Sequence, residues 1–232
     1  LQQQRTDKSY FARLDKREEE IPKVETPTNL LQIHPGTASE EGSLRGLKEI
    51  YHQIGNKLEA GEELTPAEEN YIGYEGIQLM PIEPTIEYEV GPGFWQEQEV
   101  EQGEVEIELT KPDIINWGYD VVISGSSAVN PSILGSGRPD EFVDLISTLH
   151  NFPNGPIKVV IDVVFGHSDN QGLEVLNKYF FSGPDMYGQG LDYQHPTVRA
   201  ILLEMQRRKV DFGVDGVRVD GAQDFVYWDE DD

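Results

Sequence analysis

Three features of the sequence predict an α/β fold built on a parallel sheet. Four short apolar runs alternate with segments of helical periodicity. The run from Lys158 to Val164 is almost continuously β-branched, the composition of a strand buried on both faces. Three of the four runs lead into His34, His167 and Asp220. In βα architectures the site lies at the carboxyl ends of the strands, so these three residues are expected to converge.

Taken in order, residues 1–26 are polar and charged, with a short helix expected around Tyr10 to Leu14. They read as an N-terminal arm. They contain no apolar stretch of the signal-peptide kind, and the start at Leu1 rather than Met suggests a fragment. The first core strand is Leu30 to His34, stopped by Pro35-Gly36. An amphipathic helix follows, capped by Ser43, with Leu44, Leu47, Ile50, Tyr51, Ile54 and Leu58 on one face and Gly61 at its end. Thr65-Pro66 opens a short second helix.

Gly76 to Ile82 reads as a buried strand. Residues 83–108 carry nine Glu and alternate apolar and polar only at Val105, Ile107 and Leu109, so an exposed acidic insertion ending in an edge strand is expected over about 83–110. A helix from Pro139 to Leu149 leads into the Lys158 strand. A glycine-rich loop excursion over about 166–194 precedes a helix from Pro196 to Lys209, with Val198, Ile201, Leu202 and Met205 facing inward. The last strand is Gly213 to Asp220.

Composition excludes several classes of function. With 43 Asp and Glu against 18 Lys and Arg, the formal charge of -25 repels nucleic acid and anionic lipid, so neither is expected as a partner. No run approaches the roughly 18 apolar residues of a membrane helix. The acidity fits simple surface solvation or adaptation to high internal salt, and composition alone does not separate the two. The absence of cysteine removes disulfides and thiolate chemistry, and it fits a cytoplasmic location.

The chemistry-bearing residues sit at two strand ends. Arg218 and Asp220 are two apart on one strand and therefore share a face. A guanidinium beside a carboxylate favours its ionised form, which a nucleophilic carboxylate requires. The same pair would serve equally as a buried ion pair closing the sheet.

These segments resemble the signature regions of the α-amylase family of glycoside hydrolases (family 13). Asp162-Val-Val-Phe-Gly-His167 is similar to that family's third-strand motif and Gly216-Val-Arg-Val-Asp-Gly-Ala222 to its fourth-strand motif. Gly76 to Ile82, Asn116 to Asp120 and Asp192 to Arg199 resemble the second strand, the stretch after it, and the lead-in to the fourth. The match runs in the family's order over roughly residues 27–228. It implies a TIM (β/α)8 barrel, of which residues 27–232 would supply about the first four βα units.

The resemblance also implies roles. Asp220 is the expected catalytic nucleophile and Arg218 its orienting partner. His167 would bind a sugar hydroxyl, Asp162 would support Arg218, and Tyr119 would lie under the sugar ring. The plainer alternatives are a capped loop histidine at 167 and a core aromatic at 119. A retaining mechanism needs a second carboxyl about 5 Å from the nucleophile. In the family that Glu follows the fifth strand and a stabilising Asp the seventh, so residues 1–232 alone are expected to be inactive.

Departures narrow the substrate. Gly166 replaces a family Asn that often helps to hold a structural calcium, which makes that metal doubtful, and no cofactor is expected. Gln223-Asp224 replaces the usual Lys-His of starch-active members, which argues for a small aglycone. Within the family, residues 115–131, 191–209 and 213–225 are most similar to glucosylglycerol hydrolases, which split a glucosylated osmolyte into glucose and glycerol. The expected partner is thus a small glucoside. The rival readings are a transglucosidase or phosphorylase using the same nucleophile, and a non-catalytic amylase-like binding protein. Oligomeric state is not legible.

Overall fold

The structure, a computed structural model, describes residues 25–85 and 116–221, together with the backbone of 95–99 and 105–109. The expected N-terminal arm lies almost wholly outside the described residues, as do Gln223 and Asp224. Four strands form one parallel sheet in the order β1 (Leu30–Ile33), β2 (Gly76–Leu79), β5 (Lys158–Val164) and β9 (Gly216–Asp220). Consecutive placement with parallel pairing is the arrangement of barrel strands, and the sheet is not closed, leaving β1 and β9 as its edges. All four carboxyl ends therefore lie on one side.

Each helix begins and ends where its sequence dictates. Helix α1 (Leu44–Ala60) starts where Ser43 Oγ accepts from Gly46 N at 2.9 Å and stops at Gly61, whose φ of 70° is the left-handed conformation that glycine adopts freely. Its face of Leu44, Leu47, Tyr51 and Ile54 is fully buried. Helix α2 (Pro66–Glu69) is held by a reciprocal capping box between Thr65 and Glu68. Helix α3 (Asp140–His150) buries Phe142, Val143, Leu145, Ile146 and Leu149 and packs beside α1 over the outer face of the sheet. The last six residues of β5 are all buried, as a central parallel strand requires. Asp215 ties the start of β9 to this layer, since its Oδ2 accepts from Val159 N at 2.8 Å and lies 2.6 Å from His150 Nε2.

Two excursions are more structured than expected. The acidic insertion was expected to hold a single edge strand. Instead, β3 (Trp95–Glu99) and β4 (Val105–Leu109) pair as an antiparallel hairpin, with Trp95 opposite Leu109 and Glu99 opposite Val105. The stretch after β5 contains β6 (His167–Ser168), the short helix α4 (Gly172–Val175), β7 (Phe181–Pro184) and β8 (Gln189–Leu191), the strands ordered β6-β8-β7. This small sheet covers a second apolar cluster of Leu191, Val198 and Leu202 with Phe165, Phe180, Phe181 and Tyr193.

Glu83 corrects a further expectation. It was assigned to the exposed insertion but is 1% exposed, paired with Lys209 of helix α5 (Pro196–Asp211), itself 2% exposed. Lys209 follows Val198 and Leu202 along the inward stripe of α5, while Ile201 and Met205 are only half-buried. Lys209 Nζ donates to Glu83 Oε1 at 2.5 Å and to Gly125 O at 3.2 Å. Burial pushes the Glu83 carboxyl up to about 7 and the Lys209 ammonium down, and their mutual attraction opposes both displacements.

Breaking such a pair from one side strands a buried charge. Lys209→Met is expected to lower unfolding free energy by about 3–5 kcal/mol, whereas the double change Glu83→Met with Lys209→Met should recover most of it. A urea-denaturation cycle over the two single variants and the double variant tests this. Equal losses in all three would contradict it.

Candidate active site

The register of β5 and β9 builds the site. Asp162 pairs with Arg218 and Val164 with Asp220, so one face of two adjacent strands carries carboxylate, guanidinium and carboxylate. Arg218 Nη1 lies 3.0 Å from each oxygen of Asp162 and 2.8 Å from Asp220 Oδ1. A single nitrogen thus links both carboxylates, and burial by neighbours opposes but does not overcome the raised affinity of Arg218 for its proton.

The two acids have opposite surroundings. Asp162 is 0% exposed and accepts also from Tyr119 Oη at 2.9 Å and Gln78 Nε2 at 3.3 Å. The Asp220 side chain is 35% exposed and projects from the carboxyl end of β9. Asp162 is therefore a fully engaged acceptor, and Asp220 is the carboxylate open to an incoming group.

Tyr119 and His167 sit beside this trio. Partial burial, and then donation to Asp162, push the Tyr119 phenol up to about 12, so it remains a hydrogen-bond donor across the neutral range. His167 is 6% exposed, with Nε2 3.1 Å from Tyr119 O and its ring 4.9 Å from that of Tyr187 at a tilt of 31°. The carbonyl partner places the proton on Nε2 and leaves Nδ1 as an acceptor in the neutral ring. His34, at the end of β1, does not join the carboxylates directly. Its Nε2 lies 2.8 Å from Asn116 O, so both histidines grip the segment that presents Tyr119.

Sequence reasoning missed Gln78 and Tyr187. Gln78 carried a usable signal, as an isolated amide in the otherwise apolar run Gly76 to Ile82. Tyr187 carried none, because only the folding of β7 against β8 brings it over His167.

Gly166 offers no side-chain ligand, and a Cβ there would be 2.9 Å from the carbonyl carbon of Gly221. Among the described residues, no three His, Asp or Glu side chains cluster as metal ligands.

Sequential parallel strands joined through helices, with their carboxyl ends on one side, make up part of a TIM-barrel fold. The solved structures it is similar to include the α-amylase from H. orenii (TM-score 0.53, 21% identity, 87% of this chain and 41% of that one). Others are the α-amylase from Lactobacillus plantarum (TM-score 0.53, 18% identity, 83% and 37%) and the isomaltulose synthase from Protaminobacter rubrum (TM-score 0.50, 18% identity, 83% and 34%). At these identities the likeness is one of fold, and the chain spans less than half the length of each. No curated protein matches the chain. The chain belongs to the family described as "Hypothetical glycoside hydrolase 5", whose model matches residues 1–230.

The elevated phenol gives a measurable titration. Because its folded value of about 12 exceeds the ordinary value of about 10, Tyr119 adds stability that is complete below pH 10 and is lost as pH rises through 12. The ultraviolet difference titration of wild type minus Tyr119→Phe should show one phenol ionising near pH 12. A midpoint near 10 would show that Asp162 does not hold it.

Proposed function

We propose that the protein hydrolyses a small α-glucoside with retention, through a glucosyl ester on Asp220. The observation that carries this reading is the guanidinium nitrogen of Arg218, shared between buried Asp162 and open Asp220 at 2.8–3.0 Å. It sets a guanidinium against a carboxylate that projects from the carboxyl end of the sheet, where barrel enzymes do their chemistry.

In the first step a carboxylate oxygen of Asp220 bonds to the anomeric carbon as the bond to the leaving oxygen breaks. A second carboxyl group gives that oxygen its proton. In the second step water, deprotonated by the same group, attacks the anomeric carbon and releases Asp220. His167 offers Nδ1 to a sugar hydroxyl, and Tyr119 lies against the sugar ring while its phenol holds Asp162 in place.

The substrate we favour is glucosylglycerol, cleaved to glucose and glycerol. Its support is the wording of residues 115–131, 191–209 and 213–225 and the replacement of Lys-His by Gln223-Asp224. The lack of cysteine supports a cytoplasmic setting, and among the described residues no helix is long and apolar enough to cross a membrane. Transfer of glucose to another acceptor is the second reading, favoured by the fold likeness to an isomaltulose synthase.

In the full-length protein, Asp220→Asn should lower hydrolysis by roughly 10⁴-fold or more, and a fluoroglucoside should label Asp220 of the wild type. Residues 1–232 alone should show no turnover. Product analysis in water, in phosphate and with added sugar separates hydrolysis from phosphorolysis and transfer. Undiminished cleavage by Asp220→Asn would overturn the mechanism, and preference for maltodextrins would overturn the substrate.

A further inference from the structure

Position 166 is glycine for a reason its own backbone does not supply. Gly166 is not among the glycines with positive φ, so its φ does not itself call for glycine. The obstacle is the end of the neighbouring strand. A Cβ on Gly166 would fall well inside contact distance of Gly221 O, and 2.9 and 3.1 Å from Gly221 C and Cα. These are backbone atoms and cannot rotate aside. The contact is reciprocal, since a Cβ on Gly221 would lie 3.2 Å from Gly166 N, 3.3 Å from Gly166 Cα and 3.8 Å from His167 Nδ1. Gly221 has a φ of 65°, a left-handed conformation that by itself favours glycine.

We propose that Gly166 is a positioning residue of the active site. Its bare Cα lets the turn after β5 rest on the peptide that follows Asp220, and this contact sets where the Asp220 carboxylate stands against Arg218. The inference rests on the reading of Asp220 as nucleophile.

The mechanical argument follows the chain. Phe165 N donates to Asp220 O at 3.1 Å, extending the β5–β9 pairing one step past Val164 and Asp220. The next residue on each strand is a glycine, and the two glycines meet backbone to backbone. The Asp220 side chain reaches Arg218 through one 2.8 Å contact, to a nitrogen that Asp162 already engages. That contact has little slack. A methyl group at 166 would push the two turns apart by about 1 Å, a misplacement of the order that lowers rates about 100-fold.

The test uses Gly166→Ala and Asp220→Asn in the full-length protein. Gly166→Ala is expected to lower kcat about 100-fold and to slow labelling by a fluoroglucoside equally, per site counted by active-site titration. The KM for the glucoside and the affinity for a competitive inhibitor should stay within about threefold, because His167 keeps its own anchor at Tyr119 O and the displacement falls chiefly on Asp220. A merely structural role would reduce the number of active sites without slowing each one, and that result overturns the inference.

If Asp220→Asn is inactive while Gly166→Ala labels at the normal rate, the positioning role fails and the nucleophile stands. If Asp220→Asn keeps its activity, both fail. Should Gly166→Ala not fold, a crystal structure of the unaltered protein decides. Clearance of 3.4 Å or more between a Cβ built at 166 and the Gly221 backbone overturns the inference, and closer contact upholds it.

Discussion

The site depends on a shortage of positive charge. Two carboxylates on adjacent strands share one guanidinium, and the sharing is unequal. Asp162 is wholly buried, and a buried carboxylate without a cation and hydrogen-bond donors would carry a desolvation penalty of several kcal/mol. Arg218 Nη1, Tyr119 Oη and Gln78 Nε2 meet that need from three different elements. The same nitrogen then reaches Asp220 as well, at 2.8 Å. Arg218 is thus oriented by the acid it cannot leave and offers its remaining field to the acid that faces solvent. Environment thus gives two chemically identical groups opposite settings, one enclosed by donors and one open to solvent.

A second buried pair bears on the first. Glu83 and Lys209 neutralise one another in the interior, and the negative charge of Asp162 is felt at Glu83. The pair joins the segment after β2 to α5, the helix that delivers β9. Lys209 Nζ also reaches Gly125 O, and Gly125 N donates to Val164 O at the end of β5. The two ion pairs therefore brace the same strand ends from different sides. Partner loss at Lys209 would leave an acid uncompensated close to Asp162.

The sequence made some of this legible, for specific reasons. The sheet was readable because β5 is an uninterrupted β-branched run and α1 has unambiguous caps at Ser43 and Gly61. The shared face of Arg218 and Asp220 followed from strand periodicity alone. The support of Arg218 by Asp162 was expected from the family resemblance and not from periodicity, because it depends on the register that sets Asp162 opposite Arg218. Glu83 was hidden among nine glutamates, where an acid in a charge-rich stretch reads as solvated. Its burial is decided by Lys209, 126 residues away. The strands of 166–194 were masked by glycines, which weaken strand propensity, yet Gly188 and Gly190 sit where the chain passes close to Ser168 and Ser182.

The glycines around the site follow one logic. Gly118, at a φ of 91°, has Pro81 O so near that a side chain would collide with it, and it precedes Tyr119. Gly166 precedes His167, and Gly221 follows Asp220. Tyr119, His167 and Asp220 are thus each flanked by a glycine that packs against another segment's backbone. Side-chain packing tolerates rotamer adjustment, whereas peptide-on-peptide contact does not. Loops usually carry function at the expense of precision, and here the bare Cα atoms return that precision to the loops. At the carboxyl end of β9 the chain brings two turns into direct backbone contact, Gly166 against Gly221, so their spacing is set by van der Waals limits between main-chain atoms.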